Sequence, residues 1–401
     1  MKKEKKVQWR KHGLLAAVIL LITAPNAALG DSFTDALVGG KVNLDMRLRY
    51  EYVDQDNNLK DANALTLRTR LGYTTGKLKG FDAKIEMENN APIVSDYNSG
   101  PGGNNKTEYS VVADPEATEV NQAFLGFDGI PDTPLKVGRQ RIILGNARFV
   151  GNVGFRQLEQ TFDAVRIDNT SIQDTTLLYS YVDNVRNIFA TDEDNQSHLI
   201  NIQYKGLKFG VFTGYGYLLE FPDNESNSQQ TYGIRFAGDT EFSDTKLLYA
   251  AEYAKQGDYK DGNSGIDGDY WLLELGLTGY GITGKAGYEV LGSDEYSGFE
   301  TPFATKHAFN GWADIFLNTP KEGLRDGYLI LSGNLAEVKL KGIYHDFQAD
   351  SGGADYGQEL DLSATYLFLE HYTVGLIYAN YNADEYGVDT QKFWAWAGLK
   401  F

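Results

Sequence analysis

Cysteine is absent from all 401 residues, which excludes a disulfide framework and any thiolate chemistry. Histidine is scarce, with five in the chain. Past the N-terminal His12, only His198, His307, His345 and His371 remain, and none stands beside a nucleophile–base motif, so catalysis has little to work with. Positive charge is also in deficit: 37 Lys and Arg against 55 Asp and Glu give a formal charge of −18. No general nucleic-acid role fits, because duplex binding needs a basic face to neutralise phosphates. Beyond residue 30 there is no apolar run long enough for a membrane-spanning helix. A β-barrel stays open, since it sends only every second residue into lipid.

What is present begins with a targeting segment. Lys2, Lys3, Lys5, Lys6, Arg10 and Lys11 form a basic start, Leu14 to Ile22 an apolar core, and Ala28-Leu29-Gly30 a small-residue cleavage site. The apolar core has about nine residues, against roughly twenty for a spanning helix. Residues 1–30 are therefore expected to be a cleaved Sec-type signal peptide. A single domain, 31–401, remains, with a formal charge of −23 once six basic and one acidic residue are removed.

The rest of the chain alternates. In 41–54, Val42, Leu44, Met46, Leu48, Tyr50 and Tyr52 share one face, and Asn43, Asp45, Arg47, Arg49 and Glu51 share the other. Period two over this length is a strand with one apolar and one charged face. The pattern returns at 81–88, 232–236, 271–277 and 360–366. Short turns (Lys205-Gly206, Gly279-Tyr280-Gly281) alternate with long acidic loops (93–118, 183–196, 256–268, 347–357), as in outer-membrane barrels. Tyrosines near strand ends (Tyr50, Tyr52, Tyr215, Tyr217, Tyr288, Tyr378, Tyr381) suit an interfacial girdle. The ending FWAWAGLKF, closing on Phe401, resembles the signal by which Gram-negative barrels reach their insertion machinery.

Nineteen segments alternate, yet bacterial single-chain barrels have an even number of strands with both termini periplasmic. Strands 282–291 and 337–347 must both run outward, which leaves room for one inward strand, 326–333. Residues 292–325, including HAFNGWADIFL, are therefore expected to be one long extracellular or lumen-folded loop. The fold class is thus an all-β, transmembrane antiparallel barrel of about 18 strands, with short periplasmic turns and long extracellular loops.

Eleven of the twelve arginines after residue 30 lie between positions 47 and 235. By parity Arg47, Arg49, Arg68, Arg70 and Arg235 face the lumen, where an arginine avoids the roughly 2–4 kcal/mol cost of the lipid midplane. The stretch 137–167, VGRQRIILGNARFVGNVGFRQLEQTFDAVRI, gathers five more. Arg139 and Arg141 share parity with lipid-side Leu135 and Val137, so a bulge at Gly138 is expected to turn them inward. Residues 142–160, with Arg148 and Arg156, read as a loop folded into the lumen. The cluster fits a cationic constriction for anionic solutes, with forked guanidinium groups suited to carboxylates. It fits equally a set of structural pairs with Asp45, Glu51, Glu86 and Glu88. DYKDGNSGIDGD (258–269) lacks EF-hand spacing, so no metal is expected, and no cofactor.

In its GRQ, RFVGN, FRQ and TFDAVRI blocks, and in HAFNGWADIFLNTP followed by GLRDGYL, the chain resembles the alginate-export family of Gram-negative outer-membrane barrels. That resemblance implies an eighteen-stranded barrel whose arginine-rich lumen passes polyuronate by diffusion. It places the conduit at Arg47, Arg49, Arg68, Arg70, Arg139, Arg141, Arg148 and Arg156. Lumen carboxylates (Asp45, Glu86, Glu88, Glu274, Glu359, Asp361) dilute such a field. The expected function is a passive outer-membrane channel for anionic saccharides or other carboxylates. Its expected partners are the solute, outer-membrane lipids with lipopolysaccharide, and the insertion machinery. A general or differently selective porin is the alternative; a surface receptor, an adhesin or a barrel hydrolase fits less well.

Overall fold

The computed structural model describes residues 27–293 and 297–401. Most of the expected signal peptide and the acidic triplet 294–296 lie outside that range. The described chain opens with helix α1 (Ala27–Val38), which contains the expected cleavage site in its first turn. No helix among the described residues is long and apolar enough to cross a membrane. The crossing is made by strands.

Eighteen strands follow: β1 (Lys41–Gln55), β2 (Ala62–Thr74), β3 (Phe81–Asp96), β4 (Ala117–Phe127), β5 (Leu135–Gln140), β6 (Thr161–Asn169), β7 (Thr175–Arg186), β8 (Asp192–Leu207) and β9 (Gly210–Leu219) in the first half. The second half holds β10 (Gln229–Phe242), β11 (Thr245–Asp258), β12 (Asp269–Gly279), β13 (Ile282–Leu291), β14 (Leu324–Leu335), β15 (Val338–Gln348), β16 (Asp355–Phe368), β17 (Tyr372–Ala383) and β18 (Thr390–Lys400). Each pairs antiparallel with its sequence neighbours. β1 closes the sheet on β18, in register from Asp45↔Lys400 to Gln55↔Thr390. Closure leaves no free edge, so every strand's backbone groups are paired within lipid. The last residue joins the seam: Leu44 and Phe401 exchange main-chain hydrogen bonds of 3.1 and 2.8 Å.

The alternation in the sequence is the alternation of the wall. On β12, Leu273, Leu275 and Leu277 are 64%, 62% and 56% exposed, whereas Tyr270 and Leu272 on the other face are buried. The first set looks into lipid and the second into the lumen. The parity count holds too, since HAFNGWADIFL is no strand and 292–323 joins β13 to β14 as one loop. Asn310 (φ 55°), Gly311 (φ 86°) and Asp314 (φ 62°) break the extended run that HAFNGWADIFL suggests. Two loops are markedly shorter than expected: in place of 183–196, β7 and β8 continue until only 187–191 remain, and in place of 347–357, β15 and β16 leave 349–354. The polar tip of the first stays paired because Arg186 and Asn184 both bind Asp192, at 3.4 and 3.2 Å.

The lumen is not empty. Residues 141–160 and 297–323 fold inward and meet: Gly151 N–H donates to the Phe303 carbonyl at 2.8 Å, and Thr305 N–H to that of Ala147 at 3.0 Å. Around them lies the main hydrophobic core, in which Ile142, Phe149, Phe299, Phe303 and Phe316 pack on the inward faces of Tyr215, Tyr217, Phe347, Tyr381 and Trp394. Tyr215, Tyr217 and Tyr381, expected in the lipid-facing girdle, are therefore interior residues. Their hydroxyls reach Glu252, Asn201 and the Tyr356 carbonyl. Tyr50 and Tyr52 keep the girdle position and donate to Asn63 and Asp61.

Candidate functional site: a charged lumen beneath two in-folded loops

The extracellular half of the inner wall is covered by the two loops, and most expected arginines lie in that seam. Arg49 pairs with Asp114 and Glu51, Arg68 with Asp45, and Arg70 with Glu88 and Glu159. Arg148 reaches Glu289 at 2.7 Å, and Arg156 spans Glu51 and Asp314 at 3.0 and 2.6 Å. All five arginines are buried. Each one ties a strand to a loop or to its neighbour, which is the pairing role that parity alone left open.

Arg139, Arg141, Arg235 and Arg47 are only partly covered. Arg139 forks onto Asp163 through two 2.8 Å bonds and also reaches Asp192. Gly138 does take a positive φ, 120°, yet β5 keeps an unbroken register with β4 and β6. Arg139 thus sits opposite Asp163 at the top of a six-residue strand. Arg141, just past the strand, turns to Glu86 and Glu159. Arg235 pairs with Glu252 at 2.6 Å. Arg47 differs from all of these: it donates to Gln157 Oε1 (2.9 Å) and to the carbonyls of Phe155 and Arg156 (2.7 and 2.6 Å). Among the described residues no carboxylate pairs with it. Backbone dipoles satisfy its donors and leave its charge in the lumen uncancelled.

Below the loops the inner face opens, and there the cations are largely lysines. Register carries a basic patch across four strands, with Lys84 opposite Phe124, Gly126 opposite Lys136, and Lys136 opposite Arg166. Lys136 lies over the Phe124 ring at 5.1 Å and Lys341 over Trp312 at 5.3 Å. Neither has a carboxylate ion pair among the described residues. Lys285, on β13, two strands from Lys341, is bound to Glu274 at 2.9 Å. Read from the sequence, the expected pore-lining cations are arginines alone, and these lysines are left out. Their signal was legible, for Lys84, Lys136, Lys285 and Lys341 all hold lumen parity in their strands.

The loops carry their own electrostatics. Burial alone would raise Asp314, but Lys392, His307 and Arg156 hold its carboxyl well below the usual range. Burial pushes the His307 imidazole down against the pull of Asp314, 2.7 Å away. His307 is stacked on Phe155 with ring centres 3.5 Å apart, so the two loops meet through this pair. Asp114 is likewise held down, burial being outweighed by Arg49 and Arg156. No group of metal-ligating side chains is present among the described residues.

Comparison with known proteins agrees with the geometry. The alginate-export family profile matches residues 40–292, well over half of the chain. Among solved structures, Pseudomonas aeruginosa OccK9 (OpdG) superposes with a TM-score of 0.73 at 14% identity, covering 91% of this chain and 100% of that one. P. aeruginosa OpdK, solved with vanillate, gives 0.72 at 14% identity, with 91% and 99% covered. Acinetobacter baumannii OccAB4 gives 0.70 at 14%, with 90% and 98% covered. A search of curated proteins gave no match. At such identities the solved structures speak for the fold, and the profile speaks for the family. The chain belongs to the alginate-export family, built on the eighteen-stranded barrel of Gram-negative outer-membrane porins.

Proposed function

We propose that this barrel is an outer-membrane channel through which anionic saccharides, polyuronate-like, or other carboxylates diffuse passively. The observation that carries the reading is the set of lumen cations without an ion-pair partner among the described residues: Arg47 on β1, Lys136 on β5 and Lys341 on β15. A cation facing water in a low-dielectric tube raises the local concentration of anions and needs no energy input. Arg141 and Arg235 line the same space, with part of their charge spent on Glu159, Glu86 and Glu252. Arg49, Arg70, Arg148 and Arg156 shape the constriction by anchoring the loops, Arg68 ties β2 to β1 through Asp45, and Arg139 braces the rim. Family membership and the carboxylate bound to OpdK, a fold-mate, support the substrate class. No chemical step is assigned to the protein, and solute, lipid, lipopolysaccharide and insertion machinery remain its expected partners.

Reversal potentials in planar bilayers under a salt gradient test the reading. Anion preference together with block by oligouronates is expected. A cation-preferring pore without such block would sink it and favour a differently selective porin, a reading supported by the many paired arginines.

A further inference from the structure

Glu359 and Asp361 stand one residue apart on the inner face of β16, and both are buried. The 292–323 loop crosses directly above them. Positive φ at Asn310 and Gly311 turns two successive N–H groups toward the wall. Ala313 N–H donates to Glu359 Oε1 at 2.6 Å, and Trp312 N–H to Asp361 Oδ2 at 3.2 Å. A Cβ at Gly311, whose φ is 86°, would press directly on the Glu359 carboxyl.

The other two oxygens, Glu359 Oε2 and Asp361 Oδ1, are buried with no donor among the described residues when both carboxyls are ionised. The nearest arginines and Lys392 are committed elsewhere. Arg148 serves Glu289, while Arg156 and Lys392 serve Asp314, which also holds His307. Lys341 lies over the Trp312 ring. His345 gives its Nδ1 side to Asp326 at 2.9 Å and leaves Nε2 3.7 Å from Asp361. Tyr381, opposite Glu359 in register, donates to the Tyr356 and Tyr386 carbonyls. Two adjacent carboxylates in such a place do not both ionise. The side chains are close enough to hydrogen-bond each other once one is protonated, which supplies the missing donor.

We infer that Glu359 and Asp361 share one proton, and that this proton latches the 292–323 loop inside the lumen. While it is held, the pair is a hydrogen-bonded monoanion that grips the two loop amides. When it leaves for solvent at alkaline pH, two buried negative charges face each other and the loop is released. The inference deepens the channel reading by naming a control on its constriction.

The absence of native cysteine supplies the experiment. An Ala313→Cys thiol is buried while the loop is latched, and a Thr107→Cys thiol on the exposed connection between β3 and β4 is the control. Labelling by an impermeant maleimide is followed from about pH 6 to pH 10 and normalised to the control, which removes ordinary thiol ionisation. With the native pair, normalised labelling should rise about tenfold per pH unit in the alkaline range, the slope of one proton. Adding Glu359→Gln or Asp361→Asn should flatten that rise, with the heat-modifiable gel band verifying a folded barrel. A flat profile with the native pair, or an unchanged rise in both variants, overturns the latch. Reversal potentials are read separately, so the latch and the anion preference can fail independently.

Discussion

Arg148 and Glu289 lie 141 positions apart in the sequence and 2.7 Å apart in the lumen. One belongs to the 141–160 loop and the other to β13. Asn310, from the 292–323 loop, donates to the same carboxylate at 2.6 Å and accepts from Arg148 at 3.0 Å. A single buried carboxylate thus ties both loops to the wall.

Arg148→Met should therefore cost about 3–5 kcal/mol, the usual price of leaving a buried charge unpaired. The check is the temperature at which the folded gel band converts to the unfolded one. Combining Arg148→Met with Glu289→Gln should regain most of the loss, because the lone charge is gone. If Arg148→Met alone melts with the native protein, the pair does not anchor the loop.

How far the sequence reaches is visible in this pair. Strand number and wall faces follow from period two and parity, because lipid on one side and side chains on the other force alternation; strand ends do not, as β3, β7 and β8 run several residues past the alternating cores. Counting sides makes residues 292–325 a loop, and β14 begins two residues inside that range, at Leu324. That Arg148 finds Glu289, or that Lys392 finds Asp314, was not legible. Such contacts depend on the path of two loops whose backbones leave the periodic regime at residues such as Asn310 and Gly311. Parity says that a side chain enters the lumen and cannot say whether it meets water or another loop. Tyr215 and Tyr217 show the cost: both carry lumen parity, yet they were assigned to the lipid interface from composition near strand ends.

Acid should loosen the junction of the two loops. The folded pKa of Asp314 lies well below that of a free aspartate, under the influence of Lys392, His307 and Arg156. Its stabilisation is thus complete above the unfolded value of about 4 and is lost as the pH falls toward the folded value. The native barrel should lose thermal stability between about pH 5 and pH 2.5. Asp314→Asn should be less stable at neutral pH, with a flatter acid limb. A parallel acid limb in the variant would mean that other carboxylates carry the effect.

Selectivity should follow the unpaired cations. Lys136→Glu and Lys341→Glu each put a negative charge into the open part of the lumen. Each changes the local charge by two units and should raise the energy of a passing anion by about 2 kcal/mol, roughly thirtyfold, if the solute passes within about 4 Å through water. Removing a neutral pair, Arg68→Gln with Asp45→Asn, should leave the reversal potential where it was. A larger shift from the pair than from the lysines would return the selective role to the arginine seam.

The footing of the 141–160 loop depends on one backbone torsion. Gly138 holds φ at 120° in the middle of β5, and an added Cβ would press into the Ala123 carbonyl of β4. Gly138→Ala should cost about 1–3 kcal/mol, through a torsion that other residues rarely adopt and a clash with rigid backbone. Gly342→Ala on β15 is the matched control: its backbone is ordinary, and its Cβ would meet Leu362 at a normal 3.4 Å. That change should shift stability by less than about 0.5 kcal/mol. Because β5 has only six residues, Gly138→Ala should also disturb the Arg139–Asp163 fork above it. Urea unfolding in detergent separates the two substitutions. Equal midpoints would show that β5 accommodates the change and that the glycine is not what sets the loop's departure from the wall.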